Sequence, residues 1–272
     1  MRKLFAVLIV VMVLVAPQML KSHIYDFTKI KGDYKKCISY FYSYKNGKID
    51  TKSMYRSKEI IYNIMGNLVQ DVYYNSDGAI RTKNIDTYDS SGRVVKSVTY
   101  NKDSSERFNY KTEYDTKGNK IKLLYYNQYG NVDFIFNSQY NEKQQKTSEI
   151  VSLPDGEVTS KEVYIYNSKG KITSSTETDK KGKLIQKTTY KYNEKGNLVE
   201  YIEYDGKSAV KLKETYKYDQ KGNISECVYK ELNNPLTTSI PKYDSYGNII
   251  QIEEFEGAMK TPVSKEEYMY FK

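Results

Sequence analysis

The stretch Tyr114-Asp115-Thr116-Lys117-Gly118-Asn119 decides the fold, because variants of it recur at a fixed interval along the chain. Each variant has tyrosine, then Asp or Asn, two variable residues and glycine. Neighbouring copies lie 26 or 52 residues apart, and they begin at Tyr88, Tyr166, Tyr192 and Tyr218. A fixed period of this size indicates a protein that is built from repeated supersecondary units.

Glycine positions show that each unit contains two turns. Ten of the fifteen glycines occupy two phases of the 26-residue period. The first phase contains positions 66, 92, 118, 170, 196 and 222, and Gln144 stands at its skipped position. The second phase contains positions 78, 130, 156 and 182, and Ser104 stands at its skipped position. Gly206 is interpreted as a shifted member of the second phase.

The chemistry of the motif is that of a tight turn. Asp or Asn at the first position hydrogen-bonds the backbone of its own turn, and glycine accepts the positive φ that closes a type I turn with a bulge. The turns alternate at spacings of 12 and 14 residues. The pattern therefore predicts two hairpins per unit, with strands of about 8 and about 10 residues.

Two columns of side chains follow from this register. Tyrosine stands just before the first-phase turn at Tyr88, Tyr114, Tyr140, Tyr166, Tyr192 and Tyr218. An aliphatic residue stands just after it at Leu68, Val94, Ile172, Leu198 and Ile224. Side chains in such columns pair across neighbouring strands. The predicted fold class is all-β, an extended antiparallel meander of repeated hairpins in a curved or partly single-layer sheet, preceded by an N-terminal export helix.

Three regions are predicted along the chain. Residues 61–272 form the hairpin array, whose regularity decays towards Gly247 and the prolines at positions 235, 241 and 262, which suit edge strands. Residues 21–60 are an irregular leading or capping segment, because the turn at Asn46-Gly47 lies off the period. Residues 1–20 are a signal peptide or an N-terminal membrane anchor.

The N-terminal prediction rests on polarity. Arg2 and Lys3 precede an unbroken apolar run, Leu4–Ala16, whose length and polarity are typical of a secretory signal. If it is not cleaved, the stretch Leu4–Leu20 reaches the lower length limit for a spanning helix. Both alternatives export the rest of the chain to the periplasm, the cell surface or the medium. The remaining alternative is a buried helix in a cytosolic protein.

The recurring Tyr-Asp-x-x-Gly-Asn, as at 114–119, 218–223 and 243–248, resembles the YD repeat of the RHS family. The resemblance covers residues 61–255. It implies long β-sheets, which in the large toxins of the family wind into a hollow shell around a toxic domain. This chain is short and shows no recognisable self-cleaving core or toxin domain, so the resemblance implies a stand-alone surface for enclosure, adhesion or binding. Tyr44-Lys45-Asn46-Gly47-Lys48 is more loosely similar to variant MORN-type repeats.

Residues able to carry out chemistry are few. His23 is the only histidine and lies beside the export segment. Cys37 and Cys227 stand near opposite ends of the chain, and in an extended array they are too distant for a disulfide. The recurring turn aspartates could hold calcium, but each has a local role in its turn. We therefore predict no catalytic, cofactor-binding or metal-binding residues, no cofactor, and no enzymatic activity.

Charge limits the choice of partners. The net charge is +9, but lysines alternate with acidic residues rather than forming the basic patch that is typical of nucleic-acid binding. A membrane-spanning sheet would need a continuous apolar face, which residues 171–178 lack on either side. We expect membrane contact only through an uncleaved N-terminus. The predicted function is an exported binding or scaffold surface for a protein or polysaccharide ligand. The alternative is an immunity or antitoxin-like protein with one specific protein partner.

Overall fold

The computed structural model describes residues 27–272, which form a meander of antiparallel strands without a helix. Each strand pairs with the next along the chain. The 18 strands are β1 (Lys36–Lys45), β2 (Lys48–Tyr62), β3 (Leu68–Tyr74), β4 (Ile80–Tyr88), β5 (Val94–Tyr100), β6 (Glu106–Tyr114), β7 (Lys120–Asn127), β8 (Val132–Tyr140), β9 (Lys146–Ser152), β10 (Val158–Tyr166), β11 (Ile172–Asp179), β12 (Leu184–Tyr192), β13 (Leu198–Asp205), β14 (Val210–Tyr218), β15 (Ile224–Glu231), β16 (Thr237–Tyr243), β17 (Ile249–Glu256) and β18 (Ser264–Phe271).

The meander closes on itself, because β1 pairs with both β2 and β18. The β1–β18 register runs from Lys36 opposite Phe271 to Ser43 opposite Ser264. The all-β meander of hairpins is confirmed, but the sheet is closed rather than extended and open. Closure satisfies the backbone groups that an edge strand would leave unpaired. It also gives every strand one face towards the interior and one towards the outside.

The predicted turn geometry is confirmed at the glycines of both phases, each of which has a positive φ. In the turn after β6, the amide of Gly118 donates to the carbonyl of Asp115 at 3.0 Å, and Gly118 has a φ of 88°. The Asp115 carboxylate accepts from the amides of Lys117 at 3.0 Å and Asn119 at 2.8 Å. The strand register shifts between Glu113 and Tyr114, which is the bulge of this turn type.

The positions without glycine keep the same backbone conformation. Ser104 has a φ of 65° and Gln144 a φ of 59°, so both complete the turn at a cost in backbone strain. The shifted-turn interpretation of Gly206 is wrong, because Ser208 takes the in-phase position with a φ of 64°. Gly206 instead passes the backbone of β12, where an added Cβ would lie 2.6 Å from the Leu184 carbonyl oxygen.

The described part of the segment 21–60 includes two strands. It contains β1 and most of β2, whose pairing has two register shifts. Before β1, the chain lies across the turns at one end of the ring. The amide of Ile30 donates to the carbonyl of Gly66 at 2.9 Å, and Asn248 exchanges hydrogen bonds of 3.0 and 2.9 Å with the backbone of Lys31.

One of the three prolines near the end of the array lies within a strand. Pro241 lies inside β16, opposite Ile252 of β17. On its other side, the ladder between β15 and β16 has only three pairs and stops at Ser239. At Pro241, β16 is therefore paired on the β17 side only, a position that tolerates proline.

Apolar packing is divided among three clusters rather than one core. One lies at the seam between β1, β2, β17 and β18 and includes Ile60, Ile252 and Tyr268. A second lies on β13–β15, and a third on β6–β8 around Phe134. The export segment predicted at residues 1–20 lies outside the described residues. Among residues 27–272, no helix is long and apolar enough to cross a membrane.

Candidate functional site

The two faces of β14 carry opposite charges. On β14, Lys211, Lys213 and Lys217 point outward and are exposed, whereas Glu214 and Tyr216 point inward and are buried. A β-strand alternates its side chains between faces, so a sequence that alternates lysine with glutamate or tyrosine separates the two charges on closure. The outside of this strand is basic and its inside is acidic.

A cavity of about 670 Å³ lies inside the ring, between a wall from β1–β6 and a wall from β14–β18. Four residues of β3 line it, namely Leu68, Asp71, Tyr73 and Tyr74. Six carboxylates and two cations line it, which is a formal charge of −4 in a chain whose net charge is +9. The charged lining residues are Asp71, Asp86, Glu214, Glu231, Glu254, Glu266, Lys58 and Arg81.

Lys58 is a cation at the centre of the first wall. Its Nζ lies 3.9 Å from Asp71 Oδ2 and 4.9 and 5.2 Å from the ring centres of Tyr73 and Phe27. Burial lowers the pKa of Lys58, and the carboxylates of Asp71 and Glu266 oppose that shift. Burial and the Asp71 carboxylate also raise the pKa of Tyr73. This part of the cavity is therefore poorly solvated, and its charged groups lie close to one another.

The acidic groups on this wall differ in how well they are hydrogen-bonded. Glu266 accepts from the hydroxyls of Ser39 at 2.8 Å, Ser57 at 2.5 Å and Tyr268 at 2.8 Å. Asp71 is only 7% exposed, yet its Oδ1 has no hydrogen-bond partner in the described part of the chain. Burial, with a contribution from Asp71, raises the pKa of Asp86. Glu266 is thus held by three hydroxyl donors, whereas the buried carboxylate of Asp71 is held by Lys58 and Tyr73.

The opposite wall contains a carboxyl group that titrates near neutrality. Burial raises the pKa of Glu214 to about 7, the Tyr216 hydroxyl opposes the shift, and Glu203 and Glu231 add repulsion. Tyr216 donates a short hydrogen bond to Glu214. Like charges near one another in a poorly solvated space favour the protonated form of a carboxyl group.

Further round the ring, carboxyl groups stand directly opposite one another. Glu162 of β10 faces Glu149 of β9 on one side and Glu177 of β11 on the other. Burial raises the pKa of Glu177 to about 6, with Glu162 and Glu149 adding to the shift against a hydrogen bond from Ser160. Like charges opposite each other destabilise a sheet. An acidic interior is therefore a feature of several strands and not of one corner.

The residues singled out in the sequence do not form a site. His23 lies outside the described residues. Cys37 and Cys227 are both free and buried on the inner face, and burial raises the pKa of Cys37 to about 12 and that of Cys227 still further. A protonated thiol is a poor nucleophile and a poor metal ligand.

The turn aspartates and the tyrosine column have structural roles. Hydrogen bonds from the backbone and the side chain of Arg93 lower the pKa of Asp89. Hydrogen bonds within their own turns likewise lower the pKa values of the other turn aspartates. In residues 27–272, no group of three or more Asp, Glu, His or Cys side chains is arranged to hold a metal ion. Four of the column tyrosines, Tyr114, Tyr140, Tyr166 and Tyr218, donate their hydroxyls to backbone carbonyls of the preceding repeat.

The sequence interpretation missed the acidic interior because it considered charge along the chain. Charges that alternate along a strand look mixed, but they separate between the faces once the sheet closes. The signal is present in 183–192, where one face holds Lys183, Lys187 and Lys191 and the other holds none. The sequence does not show which face becomes the interior, because that depends on the pairing of β1 with β18.

No family model matches the chain. No curated protein matches it either. Solved structures are similar to it at low identity. The Photorhabdus luminescens Tc holotoxin pore is 14% identical, with a TM-score of 0.35, over 82% of this chain and 13% of that one. TcdB2–TccC3 is 11% identical, with a TM-score of 0.32, over 84% of this chain and 15% of that one.

A third structure is similar over its whole length. A porin-like protein from Bacteroides uniformis ATCC 8492 is 11% identical, with a TM-score of 0.44, over 89% of this chain and 99% of that one. This chain spans less than a sixth of the toxin chains it is similar to.

Proposed function

We propose that this chain is an exported, non-enzymatic binding protein of the periplasm, the cell surface or the medium, and that its ligand enters the interior cavity. The observation that carries the proposal is the 670 Å³ cavity with six carboxylates against two cations. A polar cavity with incompletely paired buried groups is costly for folding, and a ligand that pairs those groups offsets the cost.

The groups present favour binding over catalysis. A catalytic nucleophile needs an adjacent base or a lowered pKa. The two thiols have raised pKa values, and Glu266 is saturated by three hydroxyl donors. Such groups hold and orient a polar molecule. The ligand is a small polar molecule, or the end of a protein or polysaccharide chain that reaches the cavity.

We also propose that the chain is a short stand-alone member of the RHS/YD-repeat family. This rests on the Tyr-Asp-x-x-Gly-Asn motifs and on the turns that they form, as at Asp115, Gly118 and Asn119. In the large toxins of that family, a shell encloses a separate domain. A ring of 18 strands with a cavity of about 670 Å³ has room for a small ligand rather than a protein domain.

A second function, an immunity or antitoxin-like protein with one protein partner, is favoured by one feature of the surface. Ile64 is 97% exposed and Met65 is 59% exposed, both on the turn between β2 and β3. Adjacent exposed apolar side chains at a turn tip are suited to anchoring in a pocket of a partner. This surface is separate from the cavity, so the two functions can be tested independently.

Gentle purification of the full chain, followed by mass spectrometry under native conditions, tests the proposal. We expect a small ligand that leaves on unfolding and is reduced in an Asp71→Asn variant. In-cell crosslinking tests the second function, which predicts a single protein partner that is lost in an Ile64→Ser variant. If no ligand is retained and no partner is crosslinked, both proposed functions are contradicted.

A further inference from the structure

The turn at residues 167–171 differs in charge from other turns at the same end of the ring. The turns at 89–93, 115–119, 141–145, 193–197 and 219–223 each contain one basic and one acidic residue. In the turn at 167–171, Asn167 stands where others have aspartate, and the charged residues are Lys169 and Lys171. This turn therefore carries two positive charges and no carboxylate of its own.

Arg93 occupies the position equivalent to Lys171 in an earlier repeat and is neutralised there. Each of these two residues directly follows its turn glycine and extends towards the next turn at this end of the ring. The guanidinium group of Arg93 forms an ion pair of 2.6 Å with the carboxylate of Asp89. The counterpart of Asp89 is Asn167, whose side-chain oxygen accepts from the amide of Lys171 at 3.0 Å but brings no charge. Within residues 27–272, the ammonium group of Lys171 forms no ion pair.

A cleft of about 180 Å³ lies between this turn and the turn at 193–197. Lys171 lies across it, because an added Cβ at Gly196 would be 3.7 Å from Lys171 Cε. Lys171 Nζ is 6.0 Å from the ring centre of Tyr192, which also lines the cleft. In the described part of the chain, the charged residues of this lining are Lys169 and Lys171 alone. The cleft is therefore positively charged.

Hydrogen-bond donors accompany the two lysines. Other members of the tyrosine column, such as Tyr166 and Tyr218, donate to the preceding repeat, but the hydroxyl of Tyr192 makes no such bond to any described residue. The side-chain oxygens of Asn167 and Asn193 accept from backbone amides at 3.0 and 2.9 Å, which leaves their amide nitrogens to donate elsewhere. A positively charged cleft that is rich in donors suits an oxyanion.

From this arrangement we propose that the cleft between the turns at 167–171 and 193–197 binds a phosphoryl group. Lysine binds phosphate as a point charge, and a phosphoryl group with nearly two negative charges balances two ammonium groups. The group is carried by a sugar phosphate or by a lipid headgroup, which share this chemistry. The cleft lies on the rim of the ring and shares no lining residue with the interior cavity, so this site goes beyond the proposed function and is independent of it.

Calorimetric titration of the full chain with glucose 6-phosphate, in about 0.15 M salt to screen weak surface attraction, tests the inference. We expect saturable binding, with glucose inactive because it lacks the charge. The Lys171→Gln variant should bind about tenfold more weakly, because it loses a charge-assisted hydrogen bond to the phosphoryl group. Its matched control is Lys117→Gln, in a turn where Asp115 balances the charge, and the affinity should not change.

An Asn167→Asp variant tests the origin of the unpaired charge. It recreates the pair of Asp89 with Arg93 and keeps the acceptor for the amides of the turn. We expect it to abolish binding without lowering the melting temperature. The matched control is Asn63→Asp, because Asn63 Oδ1 has the same role in another turn at this end, where it accepts from backbone amides at 2.9 and 3.0 Å. The control should bind as the parent chain does.

Vesicles of phosphatidylcholine with phosphatidic acid distinguish the two sources of the phosphoryl group. Sedimentation with these vesicles that is lost in Asn167→Asp would assign the group to a lipid, whereas binding of glucose 6-phosphate alone would assign it to a soluble ester. Three results would overturn the inference: binding of neither probe, equal binding by Asn167→Asp and the parent chain, or equal weakening by Lys117→Gln and Lys171→Gln.

Discussion

The hydroxyl of Tyr166 donates a hydrogen bond of 2.7 Å to the carbonyl oxygen of Lys146, 20 residues earlier in the chain. The same relationship joins Tyr114 to Val94 and Tyr140 to Lys120. Each bond connects the end of one repeat to the residue just after the turn of the previous repeat. The tyrosine column therefore ties neighbouring repeats together at one end of the ring, which phenylalanine could not do.

Replacing Tyr166 with phenylalanine is expected to destabilise the fold by about 1 kcal/mol, because the Lys146 carbonyl loses its donor. Tyr192→Phe is the matched control, since Tyr192 stands in the same column but has no such bond in residues 27–272. Urea unfolding followed by tyrosine fluorescence measures both. Equal losses for the two variants would contradict the assigned role of the hydroxyl.

A valine at Gly196 is expected to cost about 1–2 kcal/mol, because a β-branched residue resists a positive φ. Gly196 has a φ of 83°, and an added Cβ would meet only the Lys171 side chain, at 3.7 Å. The strain is thus in the backbone and not in packing. Lys195→Val, one residue earlier in the same exposed turn, should be close to neutral. A neutral melt for the Gly196 variant would refute the turn assignment.

Gly206 is required for a different reason. An added Cβ would lie 2.6 Å from the Leu184 carbonyl oxygen, which is backbone and cannot move aside. We expect Gly206→Ala to cost about 2 kcal/mol through overpacking. Ser208→Gly, at the true turn position with a φ of 64°, should be neutral or slightly stabilising. The reverse order of the two melting temperatures would show that Gly206 closes the turn.

Stability should depend on pH through Glu214. Its pKa rises from 4.5 in the unfolded chain to about 7 in the fold, mainly by burial. The folded protein therefore binds the proton more tightly, so this stabilising contribution is complete below the unfolded pKa and is lost as the pH rises through about 7. Glu214→Gln should remove that loss and should be more stable than the parent chain at about pH 8.

The control for this pH dependence is Glu200 on the outer face. Lys191 at 2.6 Å and Lys213 at 2.8 Å lower the pKa of Glu200. The stability that Glu200 contributes is therefore lost only as the pH falls below the unfolded pKa of 4.5 and through the lower pKa of the folded state. Between about pH 6 and about pH 8, Glu200→Gln should follow the pH dependence of the parent chain. A Glu214→Gln variant with an unchanged slope would refute the raised pKa.

The local fold could be predicted from the sequence, because each turn is specified by its own residues. Asp115 and Gly118 carry the hydrogen bonds and the positive φ that define the hairpin. Closure could not be predicted in this way. It depends on the pairing of β1 with β18, the first and last strands of the array, and on register shifts after Ser39 and Phe41 that have no counterpart in the period.

The candidate site was hidden for the same reason. Asp71, Asp86 and Glu214 look like ordinary strand residues until closure turns their face inward. Interactions between residues as far apart in the sequence as Lys58 and Glu266, whose charges act on each other, have no local signature. The tyrosine column was recognised as a regular feature, but its hydrogen bond to the repeat before it required the three-dimensional register.

The central claim is that the repeat array closes into a ring, and cross-strand disulfide formation tests it most directly. Ile38 and Met269 face each other across the closing seam on the outside of the ring. In a chain with Cys37→Ser and Cys227→Ser, paired cysteines at 38 and 269 should oxidise to an intramolecular disulfide at a rate similar to that of cysteines at 38 and 59, which are opposite on β1 and β2. If only the 38–59 pair oxidises, the sheet is open and the interior cavity does not exist.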